Sequence, residues 1–261
     1  MPYFAEHLDV ECLCQSRAYY VRYFMMAIGF QVLNDDRSVL LDQNFKTYGF
    51  VSKTTQVSTA TSSNPAWGQY LDVWIPDAEE IVAVRAQNEA HSVCLANVSR
   101  SGGGYIQRYV TDGSTIVNLD VYRFRPGVSA GGAFGMQIFN DHGELVYDAT
   151  TPQLIVRDVL VGTDNFEAVV GDHNYEAGKK YAVVFGGRCG RSWRTTQFTG
   201  GGGNFRINEY ASTNFFTHGP GKINFKVKYY YYFGYTKQHQ VKEFNYRAEA
   251  YSYLVVDVSG I

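Results

Sequence analysis

Short runs in which apolar side chains alternate with polar or small ones recur along most of this chain. In residues 72–75 and 81–85, Val73, Ile75, Val82 and Val84 take every second position, the two-residue period of a strand with one buried face. Runs rich in β-branched and aromatic residues predict further strands at 92–98, 105–111 and 116–124, then at 154–161, 181–185, 204–208, 222–232 and 251–258. Turn-forming residues separate them at intervals of roughly 8 to 15 residues, the rhythm of a β-sandwich. Residues 19–26 (YYVRYFMM) are the one stretch with a helical expectation. The pattern predicts an all-β, antiparallel chain.

One pattern occurs twice. Residues 29–42 read GFQVLNDDRSVLLD and residues 135–148 read GMQIFNDHGELVYD. At an offset of 106 residues the Gly, Gln, Asn, Asp and final Asp are identical, and every apolar position meets another apolar one. Apolar runs on either side of an Asn/Asp/Gly cluster specify a hairpin. Asp42 and Asp148 then end the second strand, a usual place for a residue that bonds its own turn. The duplication divides the chain into an N-terminal arm (1–26), a first β-sandwich module (27–127), a Gly-rich linker (128–133) and a second module (134–261). The arm carries Glu6, Asp9 and Glu11 among aromatic residues, a composition suited to docking on a neighbouring subunit.

Composition narrows the classes. The 261 residues include 21 Tyr, 17 Phe and 26 Gly but only 6 Pro, an aromatic load that excludes a disordered chain. Lys plus Arg number 23 against 25 Asp plus Glu, a balance that argues against a general nucleic-acid binder. Cys12, Cys14, Cys94 and Cys189 have neither zinc-ribbon nor disulfide-framework spacing and are expected to be reduced thiols. The first residues lack the basic and apolar regions of a signal peptide, and no run of about 18 apolar residues exists to span a membrane.

The duplicated hairpin resembles the opening of small β-rich proteins of the tail tip and fibres of tailed bacteriophages. Residues 72–84 (DVWIPDAEEIVAV) resemble a mid-module phrase of those proteins, and residues 119–124 (LDVYRF) resemble their closing strand. The resemblance covers residues 27–162 most clearly. It departs in two places: the second copy has no equivalent of the phrase around Pro76, and the Ser that follows the last Asp is replaced by Gln43 and Ala149. The resemblance implies a virion component near the tail tip or fibres, made in a bacterial cytoplasm. It also implies partners among other tail proteins and copies of itself, in the three- or six-fold symmetry of tails.

The residues support no catalytic constellation. The histidines at 7, 91, 142, 173, 218 and 239 show no metal-ligand spacing. Neither a nucleophile elbow nor a P-loop is present, and no cofactor is expected. The acids at Asp35, Asp36 and Asp141 read as turn residues. Two other features stand out. Tyr229, Tyr230, Tyr231, Tyr232 and Phe233 are consecutive, followed by Tyr235. Alternate residues of a strand face opposite sides, so at least two of the five must meet solvent or a partner, which predicts a subunit interface. Between Glu176 and Glu209 there is no acid, while Arg188, Arg191, Trp193, Arg194 and Arg206 fall there. This basic stretch is either a binding patch or a solvated strand edge. As a patch it would meet an acidic face of a neighbouring subunit or a phosphorylated host partner such as lipopolysaccharide. The expected function is structural assembly of a phage tail through aromatic interfaces. The alternative is a receptor-binding or carbohydrate-recognising virion protein using Trp193 and the Tyr cluster. Nucleic acid and membrane insertion are not expected.

Overall fold

The computed structural model describes residues 46–59, 69–112, 116–132, 135–187, 189–199 and 204–261, together with the backbone of four strands between residues 10 and 42. Those four are β1 (Val10–Cys14), β2 (Arg17–Val21), β3 (Gln31–Leu33) and β4 (Val39–Asp42). Next come β5 (Tyr48–Val57), β6 (Tyr70–Ile75), β7 (Ile81–Ala86), β8 (Val93–Ser101), β9 (Gly104–Thr111) and β10 (Asn118–Pro126). They are followed by β11 (Gln137–Phe139), β12 (Leu145–Asp148), β13 (Ile155–Gly162), β14 (Gly171–Asn174) and β15 (Tyr181–Phe185). The last five are β16 (Gly190–Phe198), β17 (Phe205–Gly219), β18 (Lys222–Lys237), β19 (Phe244–Ala248) and β20 (Tyr251–Asp257). Among the described residues a single 3-10 turn spans Phe166–Val169. The fold is all-β with antiparallel sheets, as the alternation predicts, and no helix of the described residues is long and apolar enough to cross a membrane. The helical expectation at 19–26 is overturned where it is described, because Arg17–Val21 is a strand paired to Val10–Cys14.

The chain forms two compact units that are not the two modules read from the duplication. One comprises residues 1–51 and 124–154, the other 52–123 and 155–261. In the first unit the hairpin repeat is structural. Gln31, Val32 and Leu33 pair with Asp42, Leu41 and Val39, with a bulge between Val32 and Leu33. Gln137, Ile138 and Phe139 pair with Asp148, Tyr147 and Leu145, with the bulge at the equivalent place. Both copies therefore lie in one unit instead of each opening its own sandwich. In the second copy, the Asn140 side chain accepts the backbone N–H groups of His142 and Glu144, closing the turn locally. Asp148 accepts from the Thr150 N–H and hydroxyl and from Ser129 and Gln137, and these hydrogen bonds hold its carboxyl well below the usual range.

The second unit is a β-sandwich. One sheet runs β13-β20-β15-β7-β10-β5 and the other β14-β18-β17-β8-β9-β6. Their facing residues make one core, including Val73, Val84, Leu95, Tyr109, Val121, Val183, Phe185, Phe216, Phe225 and Tyr253. Each such side chain contributes roughly 1.5–3 kcal/mol by leaving water. The strand Tyr181–Phe185 is apolar throughout because it is buried on both faces at the centre of its sheet. Its pairing with β7 (Val183 to Val84) and the pairing of Phe216 with Val93 join residues from both halves of the chain in each sheet. Neither half can close a sandwich without the other, which is why the boundary at 128–133 does not separate two domains.

Candidate functional site

The hairpin of β17 and β18 is longer than the sandwich it helps to build. A two-residue turn at Pro220-Gly221 starts it, with Gly221 at φ +66°, the left-handed conformation that glycine adopts without penalty. Beyond Phe216, β17 leaves β8 and instead pairs with β16 from Ser212 to Phe205, and β16 in turn pairs with β19. The result is a four-stranded extension, the blade, in the order β19-β16-β17-β18. Gly190 sits at its base with φ +139°, where a Cβ would run into the Ser212 carbonyl. From Lys226 onward, β18 has no strand partner on its outer edge among the described residues.

Cross-strand partners share a face. One row is Asn245, Trp193, Tyr210 and Tyr232; the adjacent row, on the opposite face, is Phe244, Arg194, Glu209 and Phe233. A β-bulge decides how the five aromatics divide between these faces. Ala211 pairs with Tyr231 but Ser212 pairs with Tyr229, so Tyr230 is the extra residue. Simple alternation would put Tyr229, Tyr231 and Phe233 on one face. The bulge instead puts Tyr229 with Tyr232 on one face and Tyr231 with Phe233 on the other.

On the first face Trp193 stacks on Tyr210 at 5.0 Å, Tyr210 meets Tyr232 at 5.1 Å, and Tyr229 meets Trp193 edge-on at 5.7 Å. The Arg191 guanidinium lies over Trp193 at 4.9 Å. Tyr229 is nevertheless 69% exposed and Tyr232 43%, so rings of this row present surface to solvent. On the second face Glu209 is a hub: it accepts from Arg194 at 2.6 and 2.8 Å, from the Tyr235 hydroxyl at 3.2 Å and from the Tyr231 hydroxyl at 3.3 Å. Burial and the adjacent carboxylate push both phenols above their ordinary value. Arg194 lies over Phe244, which is exposed, as are Phe233 and Tyr246.

The structure thus brings together most of the residues singled out by sequence, in an arrangement the sequence does not show. Tyr229, Tyr232 and Phe233 are exposed, while Tyr231 and Tyr235 are half-buried over Glu209. The basic stretch is not one patch. Arg191 and Arg206 belong to the Trp193 face, whereas Arg194 lies on the other face and is paired with Glu209. Arg188 and the side chain of Tyr230 lie outside the described residues. Tyr210 and Glu209 are central members that sequence reasoning passes over; their signal is the alternation of Asn208, Tyr210 and Ser212 against Ile207, Glu209 and Ala211.

A second polar cluster lies at the foot of β18. Lys228 Nζ donates to Ser92 Oγ at 2.8 Å and to Asp112 Oδ2 at 2.7 Å. Burial opposes ionisation of Asp112, but hydrogen bonds from Lys228 and Ser92 hold its pKa below the ordinary value. An ammonium paired in this way donates and cannot take the serine proton, so the cluster is no nucleophile–base pair. Among the described residues no group of three or more His, Cys, Asp and Glu side chains could hold a metal ion. Comparison of the chain with protein-family models, curated proteins and solved structures finds no match in any of the three.

Proposed function

We propose that this chain is a non-enzymatic structural component of a bacteriophage tail, in the tip, fibre or baseplate region, that assembles through the blade. The observation that carries the assembly role is the exposure of Tyr229, Tyr232, Phe233, Phe244 and Tyr246 on a four-stranded extension, where none of these five rings belongs to the sandwich core. Large exposed aromatic surface is costly in water and marks protein interfaces. The virion setting is supported by the resemblance of the duplicated hairpin to tail proteins. Deleting the gene from its phage and imaging the particles tests the reading: missing or incomplete tails are expected. Whole particles that adsorb and infect normally overturn it.

One observation favours a second reading, a receptor-binding or carbohydrate-recognising virion protein. An open cleft of about 560 Å3 at the far end of the blade is lined by Asn204, Arg206, Tyr232, Gly234, Tyr235 and Thr236, two tyrosines among polar groups. Whole particles that no longer bind cells would select this reading over the first. Against it, the ring of Trp193 is already engaged by Tyr210 and Arg191 within the sheet.

A further inference from the structure

The blade is as unusual in charge as in aromatic content. From Gly190 to Ala248 the chain has nine Lys and Arg against two Glu. That segment carries a formal +7 in a chain of net −2, which leaves −9 on all other residues. Four of the nine cations are neutralised in place: Arg194 by Glu209, Lys222 by Asp172, Lys228 by Asp112 and Arg247 by Glu249. The other five, Arg191, Arg206, Lys226, Lys237 and Lys242, make no ion pair among the described residues. Arg191, Arg206, Lys237 and Lys242 share the extension with the six exposed aromatics Phe198, Tyr229, Tyr232, Phe233, Phe244 and Tyr246, whereas Lys226 pairs with Phe215 at the sandwich end of the hairpin.

This combination constrains the geometry of any self-assembly. Apposing two blades about a two-fold axis would set unpaired cations against unpaired cations, and like charges across an interface are strongly disfavoured. The same chain supplies the complementary surface elsewhere, because its remaining residues are acidic in excess. Exposed acids away from the blade include Glu79, Glu89 and Glu176, whereas Asp164 and Glu167 share a cleft with Arg191 and Arg247 at its base.

Resting on the assembly reading above, we infer that copies of this chain join head to tail, the basic aromatic blade of one docking on the acidic surface of the next. Such a heterologous contact uses two different patches per subunit and builds a closed ring or an open filament, never an isolated two-fold dimer. The aromatics supply the apolar burial. The charges set orientation and make association sensitive to salt.

The test is analytical ultracentrifugation of the purified full chain over a concentration series, at about 50 mM and about 500 mM salt, where the screening length shrinks to a few ångströms. Oligomers are expected at low salt, with association weakened about tenfold or more at high salt. The Arg206→Glu/Lys237→Glu variant, whose fold is checked by its circular dichroism and melting curve, is expected to be monomeric alone. Added in sub-stoichiometric amounts to the wild type it should shorten the assemblies, because its intact acidic surface accepts one wild-type blade and offers none in return. A variant that self-associates like the wild type, or that leaves wild-type oligomers unchanged when mixed in, overturns head-to-tail docking in favour of a symmetric contact or a contact elsewhere. A chain that stays monomeric at every concentration and salt overturns self-docking outright. If that monomer is retained on an anionic polysaccharide resin, the surface belongs to an acidic polymer. None of these failures bears on the tail role, which the gene deletion decides separately.

Discussion

Replacing Glu209 by glutamine tests whether the blade is held by its polar face as well as by its strand pairing. The carboxylate accepts Arg194 at 2.6 and 2.8 Å and two tyrosine hydroxyls at 3.2 and 3.3 Å, with Arg194 and Glu209 side chains 24% and 19% exposed. Hydrogen bonds to a charged group are worth about 1.5–3 kcal/mol when buried. Ion pairs in contact with water retain only about 0–1 kcal/mol. A partly exposed hub falls between, and the amide can still accept some of these donors, so the expected loss is about 1.5 kcal/mol. Urea unfolding should show this as a lower midpoint with an unchanged slope. A double-mutant cycle with Arg194→Met should return a coupling of about 1 kcal/mol that shrinks as salt is added. Titration of the phenols followed in the ultraviolet gives an independent reading. Removing the negative neighbour should bring Tyr231 and Tyr235 down toward the ordinary phenol value, leaving the part due to burial. A stability change below about 0.3 kcal/mol together with unmoved phenols would refute the hub.

Four further outcomes follow from the blade and from the sandwich beneath it. His218 is buried, accepts from Arg85 Nη2 at Nδ1 and donates from Nε2 to the Ala86 carbonyl, and burial with the Arg85 charge lowers its pKa. The folded state then binds fewer protons than the unfolded one just below about pH 6.5, so stability should fall on acidification through that window, and His218→Gln should flatten the profile. Gly190→Ala should destabilise by about 1 kcal/mol or more, because φ +139° is unfavourable for any side chain and a Cβ meets the Ser212 carbonyl; an unchanged melting temperature would contradict this. Phe225→Ala should cost about 3–5 kcal/mol, since its ring packs on Tyr253 at 4.9 Å and edge-on to His173 at 5.6 Å in the core. Tyr229→Ser should change monomer stability by less than about 0.5 kcal/mol, and comparable losses for the two would show that the blade is packed in the monomer.

The legible part of the fold is the part with one-sided burial. Strands at 70–75, 81–86, 93–101 and 181–185 lie where alternating or continuous apolar runs mark them, and the duplicated hairpins share their register down to the bulge. Gly190–Phe198 and Phe244–Ala248 escape the pattern because neither strand buries one face on the core, so charged and aromatic residues mix without a period. The division into units was illegible for a different reason. The pairing of Val183 with Val84 spans about a hundred residues of chain, and a local repeat says nothing about which distant strand completes a sheet. The aromatic run told that some rings must be exposed, but which ones depends on the extra residue at Tyr230, a feature that strand pairing alone decides.

Hydroxyl-radical footprinting of the aromatic residues, in the isolated chain and in the assembled particle, tests the role of the blade most directly. Tyr229, Tyr232 and Tyr246 should label readily in the isolated chain and become protected in the assembly, while the core residues Tyr109 and Tyr253 stay protected in both. Equal labelling of the blade tyrosines in the two states would contradict the account and place the assembly contact elsewhere on the chain.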